Sequence, residues 1–193
     1  MKTNTPTPEE MSRRIARFGD LKPYGRDYAE SIGVPEAAFQ RLTAHRVYTL
    51  MVPTDYEGRS RNAPIESVRG CVVNIAECPP DNGPGLHVHE QTVENFFCLS
   101  SRFDIIWGDE EQHRVTLEPL DFISVPPGVA RRFHNVGDEV GRLLVIIQPA
   151  SEEQKDRVAY APSVAETMKA SFGEDIVDKL KTVGFAFDAG VEA

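Results

Sequence analysis

The hydrophobic period of this chain changes twice, and those two changes dictate what it can fold into. From about residue 46 to residue 149, apolar residues recur at every second position in short runs: RVYTLMV, SVRGCVVNIAE, VENFFCLSS, RFDIIWG, HRVTLEP, DFISVP, RRFHNV and GRLLVIIQ. Side chains of an extended backbone alternate between two faces, so such runs read as half-buried strands. Turn-forming clusters separate them: PPDNGPG at 79–85, GDEEQ at 108–112, PPG at 126–128 and GDEVG at 137–141. Many short strands with regular punctuation predict an all-β sandwich or barrel. Segment 53–66, PTDYEGRSRNAPIE, reads as a loop or an irregular edge strand.

The two flanks have a helical grammar. Thr7 is a candidate N-cap, Pro8 suits the first helical position, and Met11, Ile15 and Phe18 follow at helical spacing until Gly19. Pro35 opens a second short helix in VPEAAFQRLTA. After Pro149 the period lengthens again in SVAETMKASFG and EDIVDKLKTVGF, with Val164, Met168 and Phe172 forming a stripe. The predicted plan is an N-terminal helical extension (1–45), a central β domain (46–149) and a C-terminal helical extension (150–193). Each extension is too short to bury a core of its own, so its stripe needs the barrel or a partner subunit to pack against.

Charge narrows the partners. Thirty acidic residues against 21 basic ones give a net charge of −9 with no basic stripe, which argues against nucleic acid. The longest apolar runs, LLVII and TLMV, fall far short of a membrane span, so no membrane partner is expected. MKTNTPTPEE lacks the apolar core of a signal peptide, and a cytoplasmic location is the expectation. Cys71, Cys78 and Cys98 form no CxxC pair and lie in or beside apolar runs, as buried reduced thiols do.

One stretch carries chemistry. In GPGLHVHEQTVENFF, His87 and His89 stand at i and i+2 on a predicted strand, so both project from one face. Glu94 lies five residues beyond His89 and reaches that face only if the chain turns near 90–92 and returns on the next strand. Two imidazoles and one carboxylate suit a divalent transition metal, leaving three coordination positions open. The plainer reading is three polar residues near a loop.

At these residues the chain resembles the cupin superfamily. HVHEQTVE matches the centre of the first cupin motif, with Asp81 and Ser101 where the motif has its outer glycines. Ser101 falls in a turn that favours a positive φ. LDFISVPPGVARRFHN resembles the second motif through Pro126, Gly128 and Asn135, with Leu120 in place of the opening glycine and Arg131 in place of the metal-binding histidine. The resemblance covers about residues 70–148 and implies a double-stranded β-helix, or jelly-roll barrel, with the helical extensions appended. It further implies a metal inside the barrel on His87, His89 and Glu94, and frequently a homodimer.

A guanidinium has no lone pair to offer a cation, so Arg131 departs from the family's ligand set. Two alternatives stay open. Either the metal remains on His87, His89 and Glu94 while Arg131 binds an anionic group of the substrate, or no metal binds and Arg131 pairs with Glu94. His134 replaces the missing ligand only through a bulge, because strand alternation puts Arg131 and Phe133 on one face and Arg132 and His134 on the other.

The remaining candidates read as structural. Phe96 and Cys98 share the parity of Glu94 and line the interior; Phe97 and Leu99 face the opposite way. Trp107 suits core or rim packing, Asp104 and Asp121 suit turns or edges, and Tyr48 reaches the cavity or not without any sequence signal to decide. The function that follows is a metal-dependent cupin enzyme of the dioxygenase type acting on a small anionic organic molecule. Fe(II) is the preferred cofactor, with Mn, Ni or Zn as alternatives, and Arg131 is the residue expected to serve catalysis. The competing expectations are a cupin isomerase or lyase, and a non-catalytic or metal-free small-molecule binder.

Overall fold

The computed structural model describes residues 5–56, 62–67, 70–149 and 157–190. Three short helices come first, α1 (Pro8–Ser12), α2 (Arg26–Ser31) and α3 (Glu36–Phe39). Ten strands follow: β1 (Arg46–Pro53), β2 (Ile65–Ser67), β3 (Val72–Cys78), β4 (His87–His89), β5 (Thr92–Ser100), β6 (Phe103–Trp107), β7 (His113–Leu117), β8 (Phe122–Val125), β9 (Ala130–Asn135) and β10 (Gly141–Pro149). The chain closes with β11 (Val158–Ala159), α4 (Pro162–Phe172), α5 (Ile176–Lys181) and β12 (Phe185–Ala186).

The strands form two six-stranded sheets, β2-β1-β3-β10-β5-β8 and β12-β11-β4-β9-β6-β7. This is the predicted all-β jelly roll. Alternation determines what lies between the sheets. Ala76, Cys78, Phe96, Cys98, Leu143 and Val145 of the first sheet meet Phe103, Ile105, Leu117 and Phe133 of the second. Phe96 packs edge-on to Phe133 with ring centroids 5.4 Å apart. Full burial of each such side chain stabilises the fold by about 1.5–3 kcal/mol. Of the uncertain segment 53–66, Ile65–Ser67 is an edge strand pairing parallel to β1, and residues 57–61 lie outside the described residues.

The flanks depart from the expectation in two ways. The apolar stripe through Met11, Ile15 and Phe18 does not form one helix: α1 ends at Ser12, and those three side chains are 46%, 47% and 40% exposed. The capping box is present, with Thr7 and Glu10 bonding each other's backbone, but a single turn with no buried side chain gains too little to propagate. The C-terminal segment is not purely helical, because β11 pairs with β4 and carries β12 beyond it. Two-residue strands are too short for a period of two to register in sequence.

The extensions also bury each other. Val34, Phe39 and Leu42 from the N-terminal side share one cluster with Tyr160, Met168, Ile176, Leu180 and Phe185 from the C-terminal side. Tyr24 touches both this cluster and the barrel core, and its backbone N–H donates to the Val47 carbonyl at 3.0 Å. Among the described residues, no helix is long and apolar enough to cross a membrane.

Candidate functional site

β4 presents His87 and His89 to the interior, at 7% and 3% exposure, while Val88 between them is half-buried. The chain then turns and enters β5, which belongs to the other sheet. Glu94 on β5 is buried and aligned with Val125 on one side and Ile147 on the other. The two histidines and the glutamate therefore face each other across the barrel. One ligand atom from each lies within 4.8 Å of the others.

Backbone and side-chain contacts orient both imidazoles. Nδ1 of His87 is 2.7 Å from the Gly85 carbonyl, and a carbonyl only accepts, so Nδ1 carries the hydrogen and Nε2 carries the lone pair. His89 contacts the Thr92 hydroxyl through Nδ1 at 3.2 Å and directs Nε2 toward Glu94 Oε2 at 3.7 Å. The Gly128 N–H donates to the His89 carbonyl at 2.9 Å and ties the β8–β9 turn to the ligand strand. Burial, followed by the Arg131 charge and His89, pushes His87 down to about 3, with Glu94 opposing. A neutral imidazole with Nδ1 committed elsewhere is the form in which histidine binds a metal.

Arg131 enters from β9, directly opposite His87 in the strand register. It is fully buried. Its Nε donates to Glu94 Oε2 at 3.0 Å and its Nη1 donates to the Val129 carbonyl at 3.2 Å. Nη2 is buried with no hydrogen-bond acceptor among the described residues. Arg131 pairs with Glu94, and His87, His89 and Glu94 still converge, so the geometry leaves both sequence alternatives open.

Comparison with known proteins identifies the scaffold. The family model described as "Cupin domain" matches residues 74–147. The barrel is a cupin domain. No curated protein matches the chain at a significant level. Similar solved structures include the cupin domain of Schizosaccharomyces pombe Cnp3, at 10% identity and TM-score 0.45 over 70% of this chain and 73% of that one. A cupin 2 conserved barrel domain protein from Salinispora arenicola matches at 15% identity and TM-score 0.43, over 70% of this chain and 92% of that one. A candidate sugar phosphate isomerase from Acidithiobacillus ferrooxidans matches at 23% identity and TM-score 0.40 over 48% of this chain, which spans 56% of that protein's length.

The cupin framework accounts for the residues that depart from its motifs. Asp81, Ser101 and Leu120 occupy motif glycine positions and have φ of 57°, 64° and 79°. The left-handed turns are retained although the glycines are not. Asn135 locks the same end of the barrel: its amide donates to the carbonyls of Cys78 at 2.9 Å and Glu139 at 2.8 Å. Its oxygen accepts from Ser101 Oγ at 2.9 Å and the Gly137 N–H at 3.1 Å.

Other candidates lie away from the cupin interior. Alternation holds through β9, so His134 points outward and meets Asp81 at 2.9 Å on the surface. Tyr48 stacks on Phe18 at 4.7 Å, on the face opposite Val47, which points into the core. Asp104 accepts from Thr116 Oγ1 at 2.6 Å, and Asp121 accepts from the Glu118 N–H at 2.9 Å in a turn. Trp107 lies at the rim against His113.

Two neighbours of the site were not anticipated. Thr92 orients His89 from the first position of β5, where its neighbours in sequence give no cue. Tyr160 comes from the C-terminal segment and places its ring 5.6 Å from that of His87, anchored by a hydrogen bond from its hydroxyl to the Leu42 carbonyl. Nothing in local periodicity marks either residue.

Proposed function

We propose that this protein is a metal-dependent cupin enzyme acting on a small anionic organic molecule, with His87, His89 and Glu94 as the metal ligands. The observation that carries this reading is their convergence inside the barrel to within 4.8 Å. Their chemistry fits a divalent transition metal: two imidazole nitrogen donors with their far ring nitrogens engaged, and one carboxylate. A transition metal held by this set would have positions left for further ligands and would supply redox chemistry toward an anionic substrate, which supports a dioxygenase-type reaction with Fe(II) as the preferred ion. Dioxygen is then the oxidant and the organic substrate the electron donor.

The protein's own residues contribute positioning. Arg131 occupies the position of a fourth ligand and supplies a planar cation for a substrate carboxylate. Tyr160, itself buried, packs its ring beside His87. A second reading, a metal-free anion binder, is favoured by the 3.0 Å contact between Arg131 Nε and Glu94 Oε2, which engages one prospective ligand.

Elemental analysis of protein purified without chelators or an affinity-metal column separates the two. The enzyme reading expects close to one transition-metal ion per chain, lost in His87→Ala and His89→Ala variants that keep their fold. A folded parent protein with no bound metal that takes up none on addition supports the metal-free binder instead.

A further inference from the structure

Glu94 Oε2 is approached by two groups with incompatible demands. Arg131 Nε lies 3.0 Å from it and His89 Nε2 lies 3.7 Å from it. A cation bound between the imidazoles must use this carboxylate, and it would then sit against a fully buried guanidinium. Imidazoles ligate a metal as neutral donors, so in the metal-bound site two imidazoles, one carboxylate and one guanidinium would contribute zero formal charge. A dication alone therefore leaves the buried cluster strongly positive. The remaining clue is on Arg131 itself: Nη2 is buried with no acceptor among the described residues. Buried charged donors are rarely left in that state, so the fork has a donor to spare for an oxyanion that the protein does not itself supply.

We infer that metal and oxyanion bind this site cooperatively, with Arg131 as the coupling residue. An oxyanion that engages the guanidinium through Nη2 competes with Glu94 for Arg131, releases Oε2 from that pairing for the metal, and offsets the added positive charge. By linkage, the metal strengthens anion binding by the same factor. The inference rests on the metal reading above and adds an order of preference: a metal alone binds weakly, and a metal with a carboxylate binds well. Arg131 acts here as a positioning residue, since it reaches the metal only through Glu94 and the anion.

The test titrates the full-length protein with Co(II) by calorimetry and follows the visible cobalt spectrum. It is run in chloride and in acetate at equal ionic strength, because acetate is a monocarboxylate that sequesters little cobalt in solution. Saturating acetate is expected to tighten Co(II) binding by about tenfold or more, within the range of ordinary allosteric couplings. Arg131→Met is expected to bind Co(II) more tightly than the parent in chloride, and to lose the acetate effect. The coupling is overturned if the parent binds Co(II) equally in both salts, or if Arg131→Met shows the same tightening with acetate; the metal site itself survives either result. Absence of cobalt binding in both salts overturns the metal reading and the coupling with it. If Arg131→Met fails to fold, the parent arms still decide whether metal and oxyanion bind cooperatively, and Arg131→Lys takes the variant's place in testing the coupling residue.

Discussion

Arg131 and Glu94 form a buried ion pair between opposite sheets of the barrel, Nε to Oε2 at 3.0 Å with side chains 0% and 6% exposed. No strand register brings them together. β9 and β5 lie in different sheets, and the pair spans the space where the motif residues converge. Whatever the site does, this contact has to be rearranged or exploited.

The pair makes the carboxylate costly to remove. Glu94→Gln leaves the guanidinium facing a neutral amide, and breaking a buried pair from one side destabilises by about 3–5 kcal/mol. Urea denaturation of the metal-free protein should show a loss of that order. Glu94→Gln combined with Arg131→Met should recover much of it, because no uncompensated charge remains. If Glu94→Gln unfolds at the parent's midpoint, the contact is not an energetic one.

Leu120 is held in a left-handed turn, at φ 79° and 74% exposed. Its N–H donates to the Cys98 carbonyl at 2.8 Å, and the Cys98 N–H donates to Asp121 at 2.9 Å, so the turn cannot relax without losing ladder bonds. Leu120→Gly should stabilise the protein by about 1 kcal/mol, since glycine adopts this φ without the Cβ clash. It also removes an exposed apolar side chain. A lowered melting temperature would show that the leucine has a packing role.

Residues 157–190 support the ligand strand. β11 pairs with β4 through Val158 and His89, and Tyr160 joins His87 to the N-terminal segment. Removing residues 151–193 strips partners from Phe39 and Leu42, at about 1.5–3 kcal/mol per large apolar side chain exposed. The truncated protein should melt lower or aggregate, and any folded fraction should bind Co(II) more weakly. Unchanged melting and unchanged affinity would show that the barrel holds its site unaided.

The thiols should differ in reactivity. Burial pushes Cys78 up to about 12, and it is fully buried, whereas Cys71 is half-buried. At pH 8 a thiol with such a pKa is thiolate to about one part in ten thousand, and thiolate is the reactive form. A thiol reagent at that pH should modify Cys71 first and reach Cys78 only on unfolding. Because Cys78 is protonated in both folded and unfolded states below pH 9, its shift leaves stability unchanged at neutral pH. Above that, the unfolded state loses the proton first, and stability falls as pH rises from about 9 to 12.

Sequence alone settled those features that depend on local backbone periodicity. The period of two marked the barrel strands, put His87 and His89 on one face, and put Arg131 and His134 on opposite faces, with the motif resemblance setting Arg131 inward. These follow because a strand's alternation is a property of the backbone and needs no partner to define it. Tertiary structure decided everything that required two distant segments to meet. Glu94 reaches the histidines only because β5 joins the opposite sheet, and its pairing with Arg131 depends on the distance between the sheets. Tyr160 arrives beside His87 because β11 adds to the edge of β4, and the short α1 helix fails to lengthen because its single turn buries no side chain. Packing across a sandwich is set by the summed volume and charge of residues far apart in the chain, and periodicity carries no record of either.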